Sequence, residues 1–233
     1  MLMTGKIAAA PAEREGARDV GIDENGVSVA PEQIAVRNQI TLRLGAARAE
    51  GTFFSFSGFR SGEEHFAVRL GMLCKDAIPL VRVHSECITG DIFLSQRCDC
   101  GPQLQEAINQ ISATGGYVVY LRQEGRGIGL YAKLEAYVVQ DQGYDTFEAN
   151  RRLNLPEDQR DFSPAAQILR ALGVLRLRLL TNNPKKVEQL RQHGLDIAEA
   201  IRTGVFVTDD NRPYLAAKKR LANHTLQLTS DNP

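Results

Sequence analysis

Pro79-Leu80-Val81-Arg82-Val83-His84-Ser85-Glu86-Cys87 and, soon after it, Arg97-Cys98-Asp99-Cys100-Gly101 carry both a strand and the chemistry it delivers. The apolar and β-branched run from Pro79 to His84 reads as a strand that ends by presenting Glu86 and Cys87. Beyond Cys100, Leu104, Ala107, Ile108 and Ile111 fall at i, i+3, i+4 and i+7, which predicts a helix stopped by Gly115-Gly116. The stretch also holds three of the four cysteines. A C-x-C pair can place two thiolates on one metal only if the backbone turns tightly, and Gly101-Pro102 suits such a turn. Three thiolates with no obvious fourth protein ligand describe an open zinc site. Such a site carries water and lowers its pKa to about 7.

Working outward, Thr52–Phe56 and His65–Leu70 read as strands upstream, separated by Gly58 and Ser61-Gly62. Downstream, Tyr117–Leu121 is a short β-rich run. It leads into Arg122-Gln123-Glu124-Gly125-Arg126-Gly127-Ile128-Gly129, where alternate glycines let the backbone approach a ligand closely. This loop has neither the lysine of a P-loop nor the spacing of a dinucleotide fingerprint. A helix from about Leu130 to Gln142 follows and carries Tyr137. Residues 144–162 read as a long charged loop, a place where function often sits. Ser163-Pro164 and Asn183-Pro184 each open a helix. Val174–Leu180 and Leu195–Ile201 alternate as strands. The expected fold class is α/β, a mixed sheet with helices packed on it in a single catalytic domain. That domain is expected over 46–215. Residues 1–45, rich in Ala, Gly and charge, are expected as a partly disordered N-terminal extension, and 216–233 as a tail.

The chain has 233 residues, 43% of them hydrophobic, which suffices for a sizeable core. Its 28 basic and 28 acidic residues cancel. That argues against bulk binding to nucleic acid or membrane, while leaving room for a local basic pocket. No apolar run reaches the length of a membrane span. The cysteine spacing favours reduced thiols and a cytoplasmic location. Cys74 fits no pattern and reads as an ordinary thiol.

Five blocks in order, Arg82–Cys87, Arg97–Gly101, Arg122–Arg126, Asp141–Thr146 and Leu180–Lys186, closely resemble GTP cyclohydrolase II, a likeness that extends from about Gly51 to Tyr214. The resemblance implies zinc-dependent hydrolytic opening of the GTP imidazole ring. Formate and pyrophosphate are released and 2,5-diamino-6-(5-phosphoribosylamino)pyrimidin-4-one is left, as the first step of riboflavin biosynthesis. It also implies a homodimer, with one zinc per subunit and magnesium accompanying the triphosphate.

On that resemblance Cys87, Cys98 and Cys100 hold zinc. Arg82, Val83, His84, Ser85, Glu86, Gln103, Glu124, Gly125, Arg126, Thr146, Thr181 and Lys186 contact GTP. Arg82, Arg126 and Lys186 are the best-placed cations for the triphosphate, against the ordinary reading of any one cation as a solvated surface charge. Glu86, Gln103 and Glu124 can each accept from the guanine edge, and the sequence leaves open which does. Tyr137 is either a core residue or a phenol that donates to a ring nitrogen or orients water. The family mechanism makes Arg160 a nucleophile on the α-phosphorus with Asp158 as proton acceptor. A guanidinium with pKa above about 12 is a poor nucleophile, so a clamp on the phosphate is the competing role, with Asp158 orienting Arg160 or binding magnesium. His84-Ser85-Glu86 also imitates the H-x-E of zinc deaminases, although the P-C-x-x-C half is missing. A paralogous ring-opening or deaminating hydrolase outside riboflavin synthesis is therefore the alternative. A closed structural zinc site, with His65, His84, His193 or His224 as fourth ligand, is the non-enzymatic one.

Overall fold

The computed structural model describes residues 33–45, 49–59, 64–144, 146–156, 158–212 and 215, and the backbone at 21–22 and 28–29. The side chains of Thr146 and Phe147, the turn expected at Ser61-Gly62 and the expected tail lie outside the described residues. The chain divides into two units, 1–33 and 34–233. In the first, β1 (Gly21–Ile22) pairs antiparallel with β2 (Ser28–Val29).

The second unit is built on a seven-stranded mixed sheet. Its strands are β3 (Ala35–Leu44), β4 (Ala49–Ser57), β5 (Phe66–Leu70), β6 (Leu80–Ser85), β7 (Gly116–Leu121), β8 (Arg176–Leu180) and β9 (Asp196–Ile201), in spatial order β3-β4-β5-β7-β6-β8-β9. The strands from β3 to β7 in that order pair antiparallel, and β7-β6-β8-β9 pair parallel. The helices with described bounds are α1 (Ile88–Asp91), α2 (Cys100–Thr114), α3 (Leu130–Gln140), α4 (Thr146–Arg152), α5 (Ser163–Ala171) and α6 (Pro184–Gln192).

Strand alternation sorts the core onto two faces. Val81, Val83, Tyr117, Val119, Leu121, Leu177 and Leu179 pack with Ala165, Ile168 and Leu169 of α5. Their odd-even partners Leu80, Val118 and Leu180 pack with Ala107 and Ile111 of α2. The α2 face of β6 thus begins apolar at Leu80 and becomes polar at Arg82 and His84, both still buried. Because the chain leaves β6 for β7 on one side and returns to β8 on the other, the carboxyl end of β6 is where strand order reverses, the usual place for a crevice in an α/β sheet.

Two expectations need correction. The boundary expected at residue 46 falls between two paired strands, because β3 pairs with β4 from Ala35 opposite Ser57 to Leu44 opposite Ala49. Its sequence hid it: nine of its ten residues are exposed, so an edge strand held by backbone pairing carries little hydrophobic signal. The region read as a loop over 144–162 contains α4, a short helix packed against α3. The helix opened by Ser163-Pro164 starts as expected, but Phe162 is the residue at its N-cap, and Asp161 accepts from the Ser163 amide at 2.8 Å. Asn183 caps α6 as expected, accepting from the Lys185 amide at 3.0 Å.

Candidate active site

One cleft at the carboxyl end of β6 gathers most of the residues singled out above. The short α1 begins immediately after Cys87 and turns the chain back, so that Cys87, Cys98 and Cys100 bring their sulfurs within 4.8 Å of one another. The Cys87 and Cys98 sulfurs are 3.6 Å apart. Gly90 makes room for them, since a Cβ there would lie 2.8 Å from Cys98 Sγ and 3.1 Å from Cys87 Sγ. The four cysteines form no disulfide. Hydrogen bonds from the Cys100 and Cys98 thiols, and the nearby Lys133 ammonium, hold the Cys87 thiol far below its ordinary pKa. The hydrogen bond with Cys100 lowers the Cys98 thiol, but Cys87 and burial outweigh it and push it up to about 11, while Cys100 is pushed well up by Cys87, Cys98 and burial together. One thiolate shared among three sulfurs is a donor set that fits a thiophilic divalent cation. No histidine, carboxylate or fourth cysteine joins the cluster among the described residues. His84, the nearest candidate in sequence, is bonded elsewhere.

His84 Nε2 lies 3.0 Å from both carboxylate oxygens of Asp91, its ring stacked on Tyr120. Asp91 also accepts from the Tyr120 hydroxyl at 2.8 Å and the Cys87 amide at 3.0 Å. This buried carboxylate ties the strand end to the first cysteine. Burial holds the His84 imidazole below its ordinary pKa against the opposing pull of Asp91. Arg82 is buried on the same face; its guanidinium donates to Leu180 O at 3.2 Å and to Gln103 Oε1 at 2.9 Å. Gln103 in turn donates to Asp99 Oδ2 at 2.6 Å and Gly204 O at 3.3 Å, linking α2 to the C-x-C turn. Burial lowers the Arg82 pKa. Val83 differs from its neighbours: its side chain is in the core, and only its carbonyl faces the site, accepting from Lys186 Nζ at 2.7 Å.

The glycine loop forms a tight turn in which Gly125 and Arg126 both have positive φ, 61° and 63°. Arg126 O accepts from the Gln159 amide at 3.0 Å, which fastens the Asp158–Arg160 segment along the loop. Arg160 meets Asp158 as a fork, Nε to Oδ1 at 2.8 Å and Nη2 to Oδ2 at 2.6 Å. Burial works against the Asp158 carboxylate, but Arg160 outweighs it and keeps the pKa below the ordinary range. Both oxygens of Glu124 accept from protein donors: the Ile88 amide at 2.6 Å, the Gly125 amide at 2.8 Å and Lys133 Nζ at 2.9 Å. Glu86 is not, since Oε2 accepts from Arg122 Nε at 3.0 Å and Oε1 has no partner among the described residues.

Tyr137 projects from α3 between two cations, with the Arg97 guanidinium 5.0 Å and Lys133 Nζ 5.7 Å from its ring centre. Burial pushes its phenol up to about 12, against the lowering effect of Lys133. Thr181, at the end of β8, accepts from the Asn183 amide at 3.0 Å. Ser85 also lines the cleft. Thr146 opens α4, and the placement of its side chain lies outside the described residues.

The sequence reading missed Lys133, Asp91, Asp99 and Arg97. Lys133 left a trace, as a lone charge one turn before Tyr137 on an otherwise apolar helix face. Asp91 left none, because its role depends on a one-turn helix that no periodicity marks.

The family model described as GTP cyclohydrolase II matches residues 37–202. The chain is 48% identical over 196 residues to a protein of Psychromonas ingrahamii named GTP cyclohydrolase-2, covering 83% of this chain and 98% of that one. A GTP cyclohydrolase-2 of Vibrio cholerae serotype O1 has the same identity and coverage. The riboflavin biosynthesis protein RibBA of Bacillus subtilis is 50% identical over 182 residues, 76% of this chain and 46% of that one.

Proposed function

The chain belongs to the GTP cyclohydrolase II family, and from that premise we propose that it hydrolytically opens the imidazole ring of GTP in riboflavin biosynthesis, releasing formate and pyrophosphate. The observation that carries this reading is the meeting, in one cleft, of a three-cysteine cluster with the cations Arg126, Arg160 and Lys186.

Zinc held by Cys87, Cys98 and Cys100 would supply a Lewis acid that activates water near neutral pH. The protein's own groups do the rest. Glu86 reads the guanine edge, since it alone of the three acceptors expected there keeps an oxygen without a protein partner among the described residues. Glu124 and Gln103 act behind it, holding the cysteine loop and Arg82 in place. Tyr137, with its pKa near 12, stays protonated and can donate to a ring nitrogen at neutral pH. Arg126, Arg160 and Lys186 bind the triphosphate with magnesium, and Thr181 and Thr146 complete that end. Arg160, paired through both carboxylate oxygens of Asp158, is a protonated fork suited to clamping a phosphate. The enzyme works as a cytoplasmic homodimer with reduced cysteines. No helix among the described residues is long and apolar enough to cross a membrane.

The test is product identification after incubation with GTP, magnesium and zinc. Formate and pyrophosphate should appear together. Ammonia in place of formate would transfer the chain to the deaminating alternative.

A further inference from the structure

Lys133 is one of only two buried residues of α3. Its ammonium has three protons and meets three acceptors: Thr89 Oγ1 at 2.9 Å, Glu124 Oε1 at 2.9 Å and Cys87 Sγ at 3.2 Å. Buried lysines are rare unless paired. Here the partner carboxylate is itself fixed by the Ile88 and Gly125 amides, so the cation has little freedom to leave. Its approach depends on Gly125, where a Cβ would lie 3.2 Å from Lys133 Cβ.

Three thiolates around a divalent ion leave a net negative charge, which blunts the ion's acidity. A hydrogen bond from a cation to one of those sulfurs draws density off the thiolate and cancels the excess. We propose that Lys133 is a positioning residue of the metal centre, whose N–H···S bond to Cys87 holds that ligand and tempers its donation so that the bound ion stays acidic. This rests on the metal-dependent reading given above. A lysine that merely neutralised Glu124 would be served by the carboxylate alone, whereas this one divides its protons among carboxylate, hydroxyl and sulfur.

The experiment uses the full chain loaded with cobalt(II), comparing the parent with K133M and K133Q. Loss of a hydrogen bond raises the energy of the sulfur lone pair, so the thiolate-to-cobalt charge-transfer band moves to longer wavelength in K133M and moves less in K133Q, which keeps a donor. With zinc, formate release by K133M falls about 10- to 100-fold in kcat, with KM for GTP little changed and the acid limb of its pH profile displaced to higher pH. Variant bands that superimpose on the parent's overturn the inference while leaving the enzyme assignment intact. A parent chain with no thiolate–cobalt band overturns the metal reading and this inference with it. Where K133M fails to fold, K133Q decides by the same band. Where both fail, the unaltered protein decides: its cadmium-113 form should show Lys133 Nζ protons coupled to the metal through sulfur, and absence of that coupling counts against the bond.

Discussion

Arg160 meets Asp158 through two parallel hydrogen bonds, and this fork is what a planar guanidinium offers that an ammonium does not. Arg160→Lys should therefore lower both pyrophosphate and formate release by about a hundredfold, as measured in steady-state assays. A nucleotide found covalently attached to Arg160 by mass spectrometry would sink the clamp and restore the nucleophile. Cys98→Ser should lose bound zinc and formate release first, with any residual pyrophosphate release persisting; formate production that survives the change rules out the metal role. His84 supplies the pH prediction. It faces Asp91 on α1, Tyr120 on β7, Lys186 on α6 and Arg82 on its own strand. Its folded pKa lies below the ordinary 6.5. Between those two values the unfolded chain binds the extra proton, so this group's contribution to stability falls as pH drops below about 6.5. Nitrogen-15 shifts of the ring should remain those of a neutral imidazole at pH 6.5, and half-titration at or above that value refutes the assignment.

At the scale of elements, the two proline-started helices were legible in the sequence because their signals are local. Asn183 accepts from an amide two residues on, and Pro184 gives up an amide that would have had no partner. Asn183→Ala should cost about 1 kcal/mol in urea unfolding. The glycine loop was legible as a close-approach device, although not as the clasp it forms with Gln159, which belongs to a different segment. α1 and α4 went unread. A helix of four or seven residues spans too few turns for its apolar positions to reveal a period, and its placement comes from the neighbours it packs on.

For the whole molecule, the edge strand β3 matters most. It covers β4, whose Phe53 and Phe54 join the two cores. Removing residues through 45 should therefore damage folding more than removing residues through 33, because the longer deletion strips the backbone pairing from β4 and exposes a new edge. Thermal unfolding and light scattering of the two shortened chains check this; equal behaviour would show that β3 is dispensable. Local order along the chain was enough for the parts that depend on residues a few positions apart: the cysteine spacing, the glycine turn, the starts of α5 and α6 and the alternation of the inner strands. Which of those parts touch was decided only by the order of strands in the sheet. That order sets the carbonyl of Leu180 against Arg82, 98 residues earlier, and Lys133 against Cys87, 46 residues earlier. Contacts at such separations follow from how buried faces close on one another, and no local pattern encodes them.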